Sequence, residues 1–206
     1  MTTSTRVRPL RSDVREQIVT AAGEEFAERG YAGTSVAQVA ARAGFTKGAV
    51  YSNFGGKPEL FAAAVQTYFA ETVLGAIAET LGAAASTPGR DASRTRAMAH
   101  ALAESVLTGE RWPALLAEFR TVATRQPDLA GLYAELRVTQ RAQLVAALQR
   151  AAEQVPLREG LDLEVAAALL LTCVQALTVE RAASPEAMPR PLAEALFAQV
   201  LDGILA

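Results

Sequence analysis

The chain contains only two lysines, Lys47 and Lys57, and both lie in the segment 34–60. Hydroxyl and amide side chains, namely Tyr51, Ser52 and Asn53, lie between them. Ammonium, hydroxyl and amide groups can all donate hydrogen bonds to phosphate oxygens. The segment is therefore chemically suited to contact with the backbone of a nucleic acid.

Side chains for catalysis or metal binding are scarce in this chain. It has one histidine, His100, one cysteine, Cys173, and no serine in the context of a nucleophile elbow, so no catalytic triad can be assembled. No cluster of histidine, cysteine and carboxylate residues has the spacing of a metal site. No glycine-rich phosphate loop follows a predicted strand. We therefore predict a protein that is not an enzyme and that uses no metal or cofactor.

The formal net charge is −2, and it is unevenly distributed along the chain. The first 60 residues contain eight lysines and arginines against six acidic residues, and the remainder of the chain is acidic. This asymmetry permits a basic N-terminal region that contacts nucleic acid. A single cysteine excludes an intramolecular disulfide, and the start of the chain lacks the apolar run of a signal peptide. The longest apolar run, 165–171, is far shorter than the roughly 20 residues of a membrane span. We predict a cytoplasmic protein.

Apolar periodicity predicts helices and no strands, because alanine and leucine dominate the composition and β-branched residues are scarce. The first helix is predicted from Asp13 to Arg29, ended by Gly30, and the fourth from Pro58 to about Leu81. Breaks rich in glycine and proline then separate five further predicted helices, near 91–108, 112–126, 128–154, 162–183 and 191–205. We predict an all-α fold of about nine helices.

Two short helices between these elements form a helix-turn-helix pattern. In the second helix the apolar positions Val36, Val39, Ala40 and Ala43 share the face that packs on the first helix. Thr34 stands at the predicted N-cap, where its hydroxyl and the free N–H groups suit a phosphate. Gly44 can adopt the left-handed conformation that a sharp turn needs. Thr46 is predicted to cap the third helix.

The third helix, predicted over Lys47–Phe54, has one apolar face and one small polar face. Val50 and Phe54 point into the core, and the opposite face consists of Gly48 and Ser52 flanked by Ala49 and Tyr51. Small side chains allow a helix to approach base edges in the major groove, where a lysine such as Lys47 can reach guanine. Lys57, at the start of the fourth helix, is placed for a phosphate.

These patterns predict three regions. Residues 1–11 form a flexible basic arm, in which Arg6, Arg8 and Arg11 either contact DNA or remain uninvolved. Residues 12–57 form the helix-turn-helix DNA-binding domain, and residues 58–206 form a larger helical domain.

Residues 12–62 resemble the DNA-binding domain of the TetR family of bacterial transcriptional regulators. The resemblance depends on Thr34, the run 39–48, Val50, Tyr51, Phe54, Lys57 and Leu60. It implies phosphate contacts from Thr34, Thr46, Tyr51, Asn53 and Lys57, and base contacts from Lys47, Gly48 and Ser52. Asn53 departs from the histidine that the family often has, and the pair at 55–56 departs from a bulkier, more polar one.

The resemblance also implies that the second domain forms a homodimer through its last two helices. Both helices have apolar stripes broader than one buried contact requires, so a symmetric four-helix interface fits. A pair of well-buried helices in a monomer would give the same pattern. The candidate interface residues are Leu169, Val174, Leu177, Leu192, Leu196, Phe197, Val200, Leu201 and Ile204.

A small-molecule effector, mostly hydrophobic, is the second partner that the resemblance implies. Ligand pockets have apolar walls with a few polar groups. An ordinary core with satisfied polar side chains gives the same sequence pattern as a pocket. The candidate lining residues are Met98, His100, Leu102, Trp112, Leu116, Phe119, Tyr133, Gln140 and Cys173. We predict a repressor that leaves a palindromic operator when its effector binds. An effector-independent helix-turn-helix protein, or an activator, is the alternative.

Overall fold

The computed structural model describes residues 11–85, 92–107, 112–153 and 155–205. The predicted arm lies outside the described residues except for Arg11, which is the first residue of the first helix, and the predicted breaks at 86–89 and Gly109 lie outside them too. The regular structure within the described ranges is helical. Leu157 and Leu205 also form an isolated antiparallel β-bridge. The prediction of an all-α fold is confirmed.

Nine helices follow one another in the described ranges. The fourth helix, α4, consists of three consecutive segments, Lys57–Tyr68, a π-helical turn over Phe69–Leu74, and Gly75–Ala85. The other helices are α1 (Arg11–Gly33), α2 (Val36–Arg42), α3 (Lys47–Phe54), α5 (Ala92–Leu107), α6 (Trp112–Ala123), α7 (Pro127–Ala152), α8 (Leu163–Ala183) and α9 (Arg190–Ile204). Regular helical geometry is interrupted within α1 at Gly30, where φ is 73°.

The chain divides into two compact units, Met1–Val65 and Gln66–Ala206. In the first unit α1, α2, α3 and the start of α4 enclose a core of buried apolar side chains, including Ile18, Phe26, Val39, Val50 and Phe61. The Phe26 and Phe61 rings meet edge to face with centroids 4.9 Å apart, a favoured aromatic geometry. This core fixes the faces that α2 and α3 turn outwards.

In the second unit α5 packs against α9, and α7 packs against α8. Asp162 caps α8 by accepting hydrogen bonds from the N–H groups of Glu164 and Val165, as N-cap carboxylates do. The shared core includes Phe69, Met98, Leu102, Leu144, Leu170 and Phe197. Two stretches, Lys57–Thr80 and Leu163–Ala183, are long and apolar enough to cross a membrane, a test that core helices of globular proteins also meet.

Candidate functional site

The turn between α2 and α3 has the geometry that the sequence predicts. Gly44 has a φ of 73°, in the left-handed region that residues with a Cβ rarely occupy. The Phe45 N–H then donates to the Ala40 carbonyl over 2.9 Å. Thr46 caps α3, because its hydroxyl oxygen accepts a hydrogen bond from the Ala49 N–H at 3.2 Å. Both predictions about this turn are confirmed.

Thr34 does not cap α2, contrary to the prediction. The cap is Ser35, whose hydroxyl oxygen accepts from the Gln38 N–H at 3.3 Å while Gln38 Oε1 accepts from the Ser35 N–H at 2.9 Å; this pair is a capping box. Thr34 is 2% exposed, and its hydroxyl donates to the carbonyls of Glu25 and Gly30 at 3.0 and 2.9 Å. Since a hydroxyl has one proton to donate, the Thr34 side chain is not placed to donate a hydrogen bond to phosphate.

The two faces of α3 divide as the spacing predicts. Val50 is fully buried and Phe54 is 8% exposed, so this face anchors α3 in the first unit. The outward face carries the exposed residues Lys47, Gly48, Tyr51 and Ser52, with Ala49 and Asn53 half-buried beside them. Because the central side chains on this face are small, the α3 backbone can approach base edges closely.

Two of the predicted DNA contacts also form hydrogen bonds within α3. The Ser52 hydroxyl donates to the Ala49 carbonyl at 3.0 Å, and Asn53 Nδ2 donates to the same carbonyl at 2.7 Å. Ser52 would therefore contact a base by accepting a hydrogen bond. An asparagine amide has a second N–H, so the phosphate contact of Asn53 stays a prediction.

Arg15 contacts the C-terminal end of α3, and the sequence pattern does not reveal this contact. Its Nη1 donates to the Asn53 carbonyl at 2.8 Å, and its guanidinium carbon lies 4.3 Å from the centroid of the Phe54 ring. A cation at a helix C-terminus satisfies terminal carbonyls and complements the helix dipole. The partners are 38 residues apart, so spacing within α1 could not reveal them. We interpret Arg15 as a positioning residue for α3.

Lys57 connects the first turn of α4 to the end of α1, after Gly30. Its Nζ lies 4.6 Å from the centroid of the Tyr31 ring and 3.4 Å from the Ala32 carbonyl oxygen. The Tyr31 ring itself packs edge to face on Phe61, with centroids 5.1 Å apart. An ammonium group has three donors, so the predicted phosphate contact of Lys57 is compatible with this arrangement and stays a prediction.

Arg42 fastens α2 to α1. Its guanidinium contacts carboxylate oxygens of Glu25 and Glu28, each at 2.8 Å. The hydrogen bond to Glu28, together with the other nearby carboxylates, raises the pKa of Arg42 above its usual value. Because this charge is engaged within the unit, Lys47 and Lys57 are the better candidates for DNA contact.

The candidate ligand residues of α5 lie in two environments. Met98 and Leu102 are buried and line an apolar cleft, whose other walls come from Ile77, Thr80, Leu148, Leu157, Leu170, Leu201, Ile204 and Leu205. His100 is exposed, and its Nδ1 lies 3.0 Å from Glu194 Oε1. His100 therefore does not line this cleft, and its contact with a ligand stays a prediction.

The remaining ligand candidates lie around α6, α7 and α8, away from the lining of the apolar cleft. Phe119 is fully buried, Gln140 is 4% exposed, and Leu116 and Tyr133 are half-buried. Trp112 stacks on Tyr68 with ring centroids 4.5 Å apart, and Cys173 is half-buried, which raises the pKa of its thiol. Among the described residues no group of histidine, cysteine or acidic side chains could hold a metal ion.

The candidate interface residues of α8 and α9 separate into exposed and buried sets. Leu169, Leu192 and Leu196 are 49%, 44% and 38% exposed, and Val200 is half-buried. Five others are buried in the core of their own unit, namely Val174, Leu177, Phe197, Leu201 and Ile204. Because these five side chains face the interior, the exposed set is the better candidate for contact with a partner. The exposed set has a member that the sequence prediction omitted, Val165, which is 63% exposed.

A glycine turn between α2 and α3, with the small outward face of α3 beside it, defines a helix-turn-helix DNA-binding transcriptional regulator. Residues 18–64 match the family model of bacterial regulatory proteins of the tetR family. The prediction of a TetR-family DNA-binding segment is confirmed for these residues. No functionally curated protein matches the chain.

Solved structures with this fold span both units of the chain. A protein from Mesorhizobium loti assigned as a TetR-family transcriptional regulator is 21% identical, with 97% of this chain and 100% of that chain covered and a TM-score of 0.68. A transcriptional regulator from Rhodococcus sp. RHA1 is 29% identical over 92% of this chain and 97% of that chain, with a TM-score of 0.54. A transcriptional regulator from Streptomyces coelicolor is 25% identical, with 91% of this chain and 98% of that chain covered and a TM-score of 0.63.

Proposed function

We propose that this protein is a cytoplasmic, ligand-responsive repressor that binds a palindromic operator as a homodimer. The observation that carries the proposal is the outward face of α3, where Lys47 stands on the exposed first turn beside Gly48 and Ser52. Such a face can enter a major groove, and a dimer can place two of them about 34–36 Å apart in successive grooves.

Exposed apolar pairs on the last two helices support the dimer. Val165 and Leu169 are four residues apart on α8, and Leu192 and Leu196 are four apart on α9, so each pair shares one helix face. All four side chains are more than a third exposed. Two copies of the chain would cover these rows in a symmetric four-helix contact.

The effector is proposed to act through α4. This helix begins in the first unit and continues into the second along the chain, and its π-helical turn over Phe69–Leu74 interrupts the regular hydrogen-bond ladder where functional hinges are often found. An effector in the second unit releases DNA if it binds the DNA-incompetent state more tightly, because equal affinity for both states shifts nothing.

Selection of genomic fragments bound by the purified full chain tests the proposal. We expect fragments that share one palindrome, occupied by an even number of chains, and release of the fragment by a small molecule from the parent cell. Binding of single chains to an asymmetric site would contradict the dimer. A reporter activated by the protein, or a complex insensitive to every extract fraction, would instead support an activator or an effector-independent regulator.

Lys47→Ala is expected to weaken operator binding by about 1–3 kcal/mol and to relax the preference at one base pair. The reason is the position of Lys47 on the exposed first turn of α3. Dissociation constants should be measured by fluorescence anisotropy on the operator, on single-base variants and on random DNA. Equal losses on the operator and on random DNA would contradict a role in base reading.

Lys57→Ala is expected to weaken binding to all sequences alike and to lower the salt slope of binding by about one. The variant also removes the cation from the Tyr31 ring, so thermal melting must accompany the DNA titrations. Lys57→Arg keeps both the charge and the contact with the ring and should retain most of the affinity. A loss confined to the operator would show that Lys57 reads bases.

A further inference from the structure

Arg137 on α7 is a partly buried cation that forms no ion pair with a carboxylate among the described residues. Its Nη1 donates to Gln140 Oε1 at 3.2 Å, and Gln140 is itself only 4% exposed. By contrast Arg141, one helical turn further on, pairs with Glu164 at 2.9 Å. The Arg137 guanidinium therefore lacks a carboxylate, the partner with which it would form its strongest hydrogen bonds.

The cationic neighbours of Arg137 make its position unfavourable. Burial lowers the pKa of Arg137, and although the Tyr133 phenol opposes this shift, Arg141 and Arg120 lower the pKa further. The guanidinium nevertheless stays charged at neutral pH. A partly desolvated cation beside like charges costs stability unless an anion joins it.

Polar and aromatic groups from three helices lie around Tyr133, one helical turn before Arg137 on α7. Tyr133, Arg137 and Gln140 follow the i, i+4, i+7 spacing and lie on one face of α7. The Tyr133 hydroxyl lies 3.5 Å from Gln175 Nε2 on α8, and the Tyr133 ring centroid lies 6.2 Å from that of Phe119 on α6. Together these five side chains, called here the Arg137 cluster, supply a cation, hydrogen-bonding groups and an apolar wall.

We propose that the Arg137 cluster binds the carboxylate of the effector, and that the effector is a monocarboxylic acid with an aromatic or aliphatic body. This inference rests on the proposed ligand-responsive function and specifies its ligand. A guanidinium gives a carboxylate two parallel N–H donors, and the Tyr133 hydroxyl and the Gln175 amide are further donors. The apolar body would lie against the half-buried ring of Tyr133, with Phe119 behind it.

One negative charge matches this cluster better than two. Arg141 already pairs with Glu164, and Arg120 is exposed to solvent, so the partly buried guanidinium of Arg137 balances one negative charge in this cluster. A neutral ligand would leave Arg137 without an anion. The polar groups of this cluster thus select an acid, and its apolar wall selects one with a hydrophobic body.

Arg137→Met is expected to weaken binding of such acids at least about tenfold, because the variant keeps the apolar stem and removes the charge. The probes are benzoate, phenylacetate and octanoate with their amides, titrated into the full chain by calorimetry. Without ligand, the variant should melt about 2–4 °C above the wild type, because an unpaired partly buried cation is gone. The matched control is Arg150→Met, on the exposed last turn of the same helix, which should bind the acids like the wild type.

Three results would overturn the inference. The wild type and Arg137→Met could bind the acids with equal affinity, or the wild type could bind acids and amides with equal affinity. The third such result is that none of the three acids binds. Release of operator DNA, measured in parallel, separates this inference from the proposed function. Acids that bind through Arg137 and leave DNA bound support the site and contradict ligand-responsive repression. A neutral amide that releases DNA from both proteins supports repression and contradicts the acid site.

Discussion

Replacing Leu169 and Leu196 together by aspartate is expected to convert the protein into a monomer and to weaken operator binding by about 10²–10⁴-fold. The two side chains are 49% and 38% exposed within the single chain, so the new carboxylates stay in water and leave the fold intact. In a symmetric four-helix contact the same carboxylates would be buried without partners, which costs several kcal/mol. Loss of the dimer then removes the gain in affinity from two linked half-sites.

The matched control for this variant is Val138→Asp. Val138 is a comparably exposed apolar residue, at 55%, but it lies on α7, outside the proposed interface. Light scattering and sedimentation should find this control dimeric and the double variant monomeric, and DNA titrations should follow the same division. A double variant that remains dimeric, or a control that dissociates equally, would contradict the interface on α8 and α9.

Phe26→Ala is expected to lower the free energy of unfolding of the first unit by about 3–5 kcal/mol. Phe26 is 1% exposed, meets the Phe61 ring edge to face at 4.9 Å, and stacks on Tyr31 at 6.1 Å. Truncation leaves a cavity where α4 packs against α1 on both sides of Gly30. Because this core fixes α3, DNA binding should fall with stability at temperatures where the wild type still binds.

Tyr51→Ala separates stability from recognition in the same unit. Tyr51 is also aromatic but is 53% exposed on the outward face of α3. Its removal should change stability by no more than about 0.5 kcal/mol and should still weaken DNA binding. Urea unfolding followed by circular dichroism, with DNA titrations below the transition, measures both quantities. Similar unfolding curves for the two variants would show that Phe26 does not support the core as described.

The features that sequence reasoning predicted correctly are set by local interactions. The bounds of α3, the left-handed Gly44 and the Thr46 cap depend on residues a few positions apart, so their spacing suffices. The N-cap of α2 was misplaced by one residue because Thr34 and Ser35 both have capping side chains. Thr34 is buried by tertiary contacts, so Ser35 caps the helix. The pattern of residue types does not reveal this burial.

Features that depend on distant contacts could not be predicted. A broad apolar stripe on α9 does not show which rows pack inside the unit, so buried Phe197 and exposed Leu196 looked equivalent. The hydrogen bond from Arg15 to the end of α3 joins residues that are distant in the sequence. The sequence pattern does not single out Arg137, because an arginine on a long helix usually lies in solvent with a nearby acid. The lack of an ion pair at Arg137 is visible only once the other helices are placed.

The stacking of Trp112 on Tyr68 gives the protein a built-in optical reporter. Trp112 is the only tryptophan in the chain, and its ring lies nearly parallel to that of Tyr68, at an interplanar angle of 12°. Tyr68 ends the first segment of α4, directly before the π-helical turn. Indole emission therefore reports on that single point of α4, and rapid mixing with effector or DNA could follow the movement of this helix in the unlabelled protein.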